Sequence, residues 1–287
     1  MAARRWILTL TCDDRVGIVA AVSGFLAARQ GFIVDSQQYA DLDTGRFFMR
    51  VVFTAGGPDF PDDSSMLRDD FTAVAERLGL SWALVPAEVR PRAIVAVSKG
   101  SHCLNALLHR RQIGALSVEI AAVVSNHDRL RALVEWHGIA FHHLPVDDAG
   151  RDEQEAAIGR LIAASGAELL VLARYMQVLS PAFCAMLDGR CVNIHHSFLP
   201  GFKGAKPYHR AHERGVKLIG ATAHFVTGDL DEGPIIEQAV ERVDHRASVD
   251  EMIAIGRDIE AQVLARAVNA IGERRVFLNG GKTVVFR

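Results

Sequence analysis

Cysteine is scarce in this chain: Cys12, Cys103, Cys184 and Cys191 are the four in 287 residues, and no two form a C-x-x-C pair. A disulfide framework is thereby excluded, and the thiols read as reduced and mostly buried. No apolar run reaches the roughly 18 residues that a membrane span needs. The opening MAARRWILTLTCDDR meets acidic residues before a leader-like apolar region develops, so the expectation is a cytoplasmic protein. Long runs of like charge are also missing, and a net charge of -2 with a pI near 6.6 argues against nucleic acid or a membrane surface as the main partner. A small molecule is the expected partner. Neither a G-x-S-x-G elbow nor an H-E-x-x-H helix occurs, which disfavours a serine hydrolase and a zinc deformylase. There is no internal repeat and no low-complexity tract.

What is present divides into two rhythms. Up to about residue 87 the order reads strand, helix, strand, strand, helix, strand: RWILTLTC, then RVGIVAAVSGFLAARQG closed by Gly31, then two extended segments hinged at DLDTGR, a helix in MLRDDFTAVAERLGL and a strand in SWALVPAEV. This βαββαβ order predicts a small sheet with both helices on one face. EVRPR, residues 88 to 92, reads as a linker. From 92 to 287, short apolar strands alternate with helices, which predicts a parallel sheet covered on both faces. Ser248 and Glu251 form a capping box that opens a helix running to about 274, and the tail RVFLNGGKTVVFR predicts a hairpin at NGG.

The chemistry concentrates in VNIHHSFLPGFKGAKPYHRA, residues 192 to 211. Side chains alternate along a strand, so Asn193 and His195 share one side while Ile194 points into the core. An amide N–H stabilises the oxyanion of a tetrahedral intermediate, and an imidazole shuttles a proton near neutrality, a pairing suited to acyl transfer. The turn TGDLDEGP offers Asp229, Asp231 and Glu232 as the carboxylate that orients the histidine. With no nucleophilic side chain indicated, attack falls to water or to a substrate amine.

NIHHSFLPGFKGAKPYHRA followed by GATAHFVTGDLDEGPII resembles the catalytic core of the folate-dependent formyltransferase fold, N-x-H-x-S-L-L-P and then H-F-V with D-x-G-P-I. That resemblance implies a Rossmann-like α/β domain over 92–287 and places the catalytic Asn, His and Asp on Asn193, His195 and Asp231. Residues 1–87, through DDRVGIVAAVSGFLAARQGFIV, resemble an ACT domain of ferredoxin-like βαββαβ fold with a regulatory or oligomerising role. Together they resemble the formyltetrahydrofolate deformylases. The expected reaction is then hydrolysis of 10-formyltetrahydrofolate to tetrahydrofolate and formate, feeding purine biosynthesis and balancing the one-carbon pool, with no metal and no tightly bound cofactor.

By the same resemblance the pterin sits against Gln177, Leu179, Val226, Thr227 and Gly228, with Gln177 standing where the family often has Arg. The SKGSHCL loop resembles the S-x-x-S-H-C-L loop of deformylases rather than the phosphate-holding loop of glycinamide ribonucleotide formyltransferases. Ser98, Lys99, Ser101 and His102 at its tip are expected to fill the acceptor space and leave room for water. The alternatives are a formyltransferase to an amine such as glycinamide ribonucleotide, and a non-catalytic folate binder. Asp14, Arg15, Gly17 and Ile18 are the expected contacts for an amino-acid effector, glycine or methionine, in a dimer or tetramer. His196 reads as a structural hydrogen-bonder, His209 and His212 lack a third metal ligand, and Lys203 and Lys206 either attract the folate glutamate tail or solvate their loop.

Overall fold

Strand β1 (Arg5–Asp13) alternates outward and inward residues, and its inward set, Trp6, Leu8, Leu10 and Cys12, is buried. The computed structural model describes residues 4–58, 60–61, 63–146, 150–201 and 207–287. The chain divides into two compact units, one holding the chain up to Arg90 with Glu273–Asn279 and Val284–Arg287, the other Pro91–Gly272 with Gly280–Thr283.

In the first unit β1 is followed by α1 (Ile18–Ala28), β2 (Gly31–Asp41), β3 (Arg46–Ala55), α2 (Ser64–Leu78) and β4 (Ser81–Pro86). The sheet is antiparallel in the order β2-β3-β1-β4. Ile18, Val22, Phe25 and Leu26 of α1 and Leu67, Phe71 and Ala75 of α2 join the inward residues of β1 and β3 in one core, so both helices lie on one face. Asp63 caps α2 by accepting from the Ser65 amide. Gly31 does not close α1 as the sequence suggested: Gln30 takes the left-handed conformation at φ 55°, and Gly31 opens β2. The sequence assigned the whole tail to the second segment, whereas part of it belongs to this unit. There Phe277 meets Phe48 edge-on with ring centroids 5.9 Å apart, and Arg50 Nε donates to the Glu273 carbonyl at 3.1 Å. That explains why β3 is buried on both faces.

The second unit runs β5 (Arg92–Val97), α3 (His102–Gln112), β6 (Glu119–Ser125), α4 (Arg131–Trp136), β7 (Ala140–His143), α5 (Arg151–Ser165), β8 (Leu169–Leu172), α6 (Pro181–Met186), β9 (Cys191–His195), α7 (Pro207–Glu213), β10 (Leu218–Phe225), β11 (Ile235–Arg242) and α8 (Val249–Gly272). The tail forms β12 (Val276–Asn279) and β13 (Lys282–Val285). The seven-stranded sheet has the order β11-β10-β9-β8-β5-β6-β7 and is parallel from β9 to β7, with β10 and β11 antiparallel at one edge. Ile158 of α5 and Phe183 and Cys184 of α6 pack on Ile94, Ala96, Leu170 and Leu172. α8 packs on α3 and along β9, β10 and β11. The Ser248–Glu251 capping box is formed, with the Ser248 amide donating to Glu251 Oε2 at 2.7 Å and the Glu251 amide to Ser248 Oγ at 3.2 Å.

The chain leaves β5 in one direction through β6 and β7 and returns on the other side as β8 and β9. The carboxyl ends of β5 and β8 therefore flank a switch point, where an open α/β sheet leaves a crevice for ligands.

Candidate active site

Asn193 and His195 lie on β9, two residues apart, and line one cavity of about 250 Å³. Across the strand pair, Asn193 faces His224 and His195 faces Thr222 of β10. The register of β10 with β11 shifts between Ala223 and His224, a bulge beside the site. Past β10 the turn folds back on itself. The Phe225 amide donates to the Pro234 carbonyl at 2.9 Å, and a Cβ on Gly233 would lie 1.7 Å from the Phe225 carbonyl oxygen, so only glycine allows this closure. Asp231 is held in that turn in left-handed backbone at φ 58°.

The geometry fixes several proton positions. His195 Nδ1 lies 3.2 Å from Asp231 Oδ1, so Nδ1–H donates to the carboxylate. Its Nε2 is buried and has no hydrogen-bond partner among the described residues. His224 Nδ1 lies 2.8 Å from the Phe225 carbonyl, which makes Nδ1 the donor and leaves Nε2 as acceptor. Burial pushes the His224 pKa down, consistent with this neutral form. The Asn193 amide nitrogen, 3.3 Å from that Nε2, must then donate to it, and its second N–H remains for a ligand. His224 lies within the H-F-V motif but carried no expected role; its register opposite Asn193 is what assigns one.

A second layer lies behind the site, and of its members only His196, as a structural hydrogen-bonder, and His102 were singled out in sequence. Arg174, just after β8 at φ 63°, directs its Nη1 to His196 Nδ1, and the His196 ring stacks on His195 with centroids 5.1 Å apart. Burial, reinforced by the Arg174 charge, pushes the His196 pKa down to about 4, so His196 is a neutral acceptor. Arg174 Nε is 3.2 Å from Glu260 Oε2 of α8, His102 Nε2 is 2.8 Å from the same oxygen, and Tyr208 donates to Glu260 Oε1 at 2.8 Å. Burial pushes the Glu260 pKa up, but the His102 hydrogen bond, the charges of Arg174 and His102 and the Tyr208 hydrogen bond together bring it below the usual value. Tyr208 reaches Glu260 because Gly256, one turn earlier on α8, has no Cβ; one there would sit 2.0 Å from the phenol oxygen.

His102, Cys103 and Glu260 also bring one potential ligand atom each within 4.8 Å of one another. The donor set does not suit a metal, since the Arg174 cation already occupies Glu260 and burial pushes the Cys103 thiol well up.

Gln177, Leu179, Val226, Thr227 and Gly228 all line the 250 Å³ cavity with Asn193, His195 and Asp231; Asp229 lines it too, but the carboxylate that meets His195 is that of Asp231. Ser98, Lys99, Ser101 and His102 line a different, adjoining cavity of about 560 Å³, which shares Arg174 and Met176 with the first. His102 is drawn to Glu260, and Ser98 Oγ donates to Asn126 Oδ1 and accepts from the Met176 amide, so these side chains form a wall of that cavity. In the first unit Asp14 and Arg15 are exposed and Gly17, at φ 97°, precedes α1, while Ile18 is a core residue rather than an open contact. Lys203 and Lys206 lie outside the described residues. No helix of the described residues is long and apolar enough to cross a membrane.

Comparison with known proteins shows what the chain is similar to. Residues 91–268 match the family model described as Formyl transferase. The formyltetrahydrofolate deformylase of Corynebacterium sp. (strain P-1) is 50% identical over 283 residues, 99% of this chain and 98% of that one. The crystal structure of a formyltetrahydrofolate deformylase from Pseudomonas syringae pv. tomato superposes with a TM-score of 0.96 at 47% identity, covering 100% of this chain and 96% of its own. A glycinamide ribonucleotide transformylase from Symbiobacterium toebii is more distant, with a TM-score of 0.64 and 29% identity over 71% of this chain and 98% of its own.

Proposed function

The chain belongs to the formyltetrahydrofolate deformylases, and on that premise we propose that Asn193, His195 and Asp231 carry out the hydrolysis of 10-formyltetrahydrofolate to tetrahydrofolate and formate. The enzyme is a hydrolase of a linear amide C–N bond, and 10-formyltetrahydrofolate is its substrate rather than a resident cofactor. The observation that carries the residue assignment is the His195–Asp231 pair, with the unpartnered His195 Nε2 beside the free N–H of Asn193.

Water oriented by His195, whose ring Asp231 holds through Nδ1, attacks the formyl carbon, and His195 Nε2 takes its proton. The Asn193 N–H not engaged by His224 binds the oxyanion that develops on the formyl oxygen. Collapse of the tetrahedral intermediate breaks the C–N bond, the proton on His195 passes to N10, which departs as a neutral amine, and the formic acid formed gives its remaining acidic proton to solvent and leaves as formate. Asp231 keeps the Nδ1–H tautomer and offsets the positive charge that appears on the ring. The pterin lies against Gln177, Leu179, Val226, Thr227 and Gly228, which line the same cavity.

For the first unit, the reading is a module that binds glycine or methionine at Asp14, Arg15 and Gly17 in a dimer or tetramer; its βαββαβ order and exposed loop before α1 support that. Titration with either amino acid should shift activity or the melting temperature. The catalytic reading is tested by formate release from purified protein and 10-formyltetrahydrofolate without any amine. No formate without an acceptor, with the formyl group found on an added amine instead, refutes hydrolysis.

A further inference from the structure

The larger cavity has no role in hydrolysis as described, yet it adjoins the reaction cavity and shares Arg174 and Met176 with it. Its wall carries Lys99, His102, His127, Arg129, Arg174 and Arg257, and no Asp or Glu. Arg174 and His102 are already engaged by Glu260. Lys99, Arg129 and Arg257 are not: among the described residues their side chains make no hydrogen bond or ion pair. Three cations around one concavity repel one another unless an anion sits between them, and a concave low-dielectric wall focuses their field. The 11-residue α3 begins at the same wall, where Ser101 makes no side-chain cap, so the positive end of that helix adds to the field.

We propose that this cavity is a carboxylate-binding site serving the adjoining reaction cavity. The inference rests on the hydrolytic reading, because that reaction supplies two carboxylates: the formate it releases and the glutamyl carboxylates of its substrate. Planar guanidinium forks on Arg129 and Arg257 match a planar carboxylate, and Lys99 adds a point charge. Arg174 stands between the two cavities, tied to Glu260 on one side and to His196 on the other, so an anion leaving His195 and Asn193 meets a cation at the boundary. For formate the cavity acts as a product site that draws the anion away from the developing amine. For the glutamyl tail it acts as an anchor.

The test uses the full-length protein at low ionic strength, with ¹³C-formate line broadening and formate inhibition of hydrolysis measured for the wild type, Arg129→Ala/Arg257→Ala, Lys99→Ala, and the remote control Arg151→Ala on the exposed start of α5. Removing the two arginines should weaken carboxylate binding by about fivefold or more, from roughly two- to threefold per exposed cation. A loss of formate binding and inhibition with KM unchanged identifies formate as the occupant. A rise in KM for 10-formyltetrahydrofolate, absent for 10-formyltetrahydropteroate, identifies the glutamyl tail. If neither quantity changes relative to Arg151→Ala, or if inorganic phosphate binds while no carboxylate does, the proposal is overturned. The two readings fail separately: protein that releases formate without an acceptor but shows no such changes loses only the carboxylate site, and protein that releases none loses the hydrolytic reading.

Discussion

His195 and Asp231 are joined at 3.2 Å through Nδ1 and Oδ1, although 36 positions separate them in the chain, and both side chains are almost wholly buried. Asp231→Asn should keep the volume but remove the charge that orients and balances the imidazole. The expected result is a fall in kcat of about 10²- to 10⁴-fold with little change in KM. His195→Ala should fall at least as far. Steady-state formate release measures both, and a kcat within a few-fold of wild type for either variant would remove that residue from the mechanism.

Asn193→Ala removes the donor to the developing oxyanion and should lower kcat by about 10²- to 10³-fold. His224 acts on the same amide from behind, since its Nε2 receives one Asn193 N–H. His224→Ala should therefore lower kcat by less than Asn193→Ala, and the double variant should be no slower than Asn193→Ala alone. Additive losses would show that His224 does not act through Asn193.

Gly233→Ala tests how Asp231 is delivered. Its new Cβ would meet the Phe225 carbonyl oxygen at 1.7 Å, a backbone atom that cannot swing away. The turn must open, and Asp231, already in left-handed backbone, moves off His195. Expected are a loss of kcat approaching that of Asp231→Asn and retained circular dichroism in the far ultraviolet. Unimpaired turnover would show that the turn tolerates the extra carbon.

Acid should destabilise the protein in two stages. His196, with a pKa pushed down to about 4 by burial and by Arg174, holds fewer protons when folded than the ordinary value of 6.5 allows when unfolded. Stability therefore rises with pH between about 4 and 6.5 and is lost as pH falls through that window, by up to about 1.4 kcal/mol per unit. Glu260, held below its ordinary 4.5, contributes stability that is present above that value and lost as pH falls through its folded value. Melting temperatures from pH 7.5 to 4 should decline first through the histidine window and then more steeply, and His196→Asn should flatten the first decline. A wild-type midpoint that stays constant from pH 6.5 to 4.5 contradicts the neutral, buried assignment of His196.

The alternation of apolar and polar residues was enough to read the βαββαβ order and the strand-helix rhythm beyond residue 90, because period and capping are local properties. It also put Asn193 and His195 on one side of a strand, since side chains two apart always share a face. Which of Asp229, Asp231 and Glu232 meets the imidazole is a matter of how a turn folds back over β10, and spacing alone left it open; the Gly233 contact with Phe225 closes that turn. The support behind the site was legible only in His196, read as a structural hydrogen-bonder; its partners were not. Arg174, His196, Tyr208, His102 and Glu260 come from separate elements and meet only through long-range packing, with Gly256 opening the path for Tyr208. The same packing makes the SKGSHCL loop the wall of an open cationic cavity, because the partners of His102 and Ser98 lie far along the chain. Sequence determined which groups could do the chemistry, and tertiary structure decided their protonation, their orientation and the space around them.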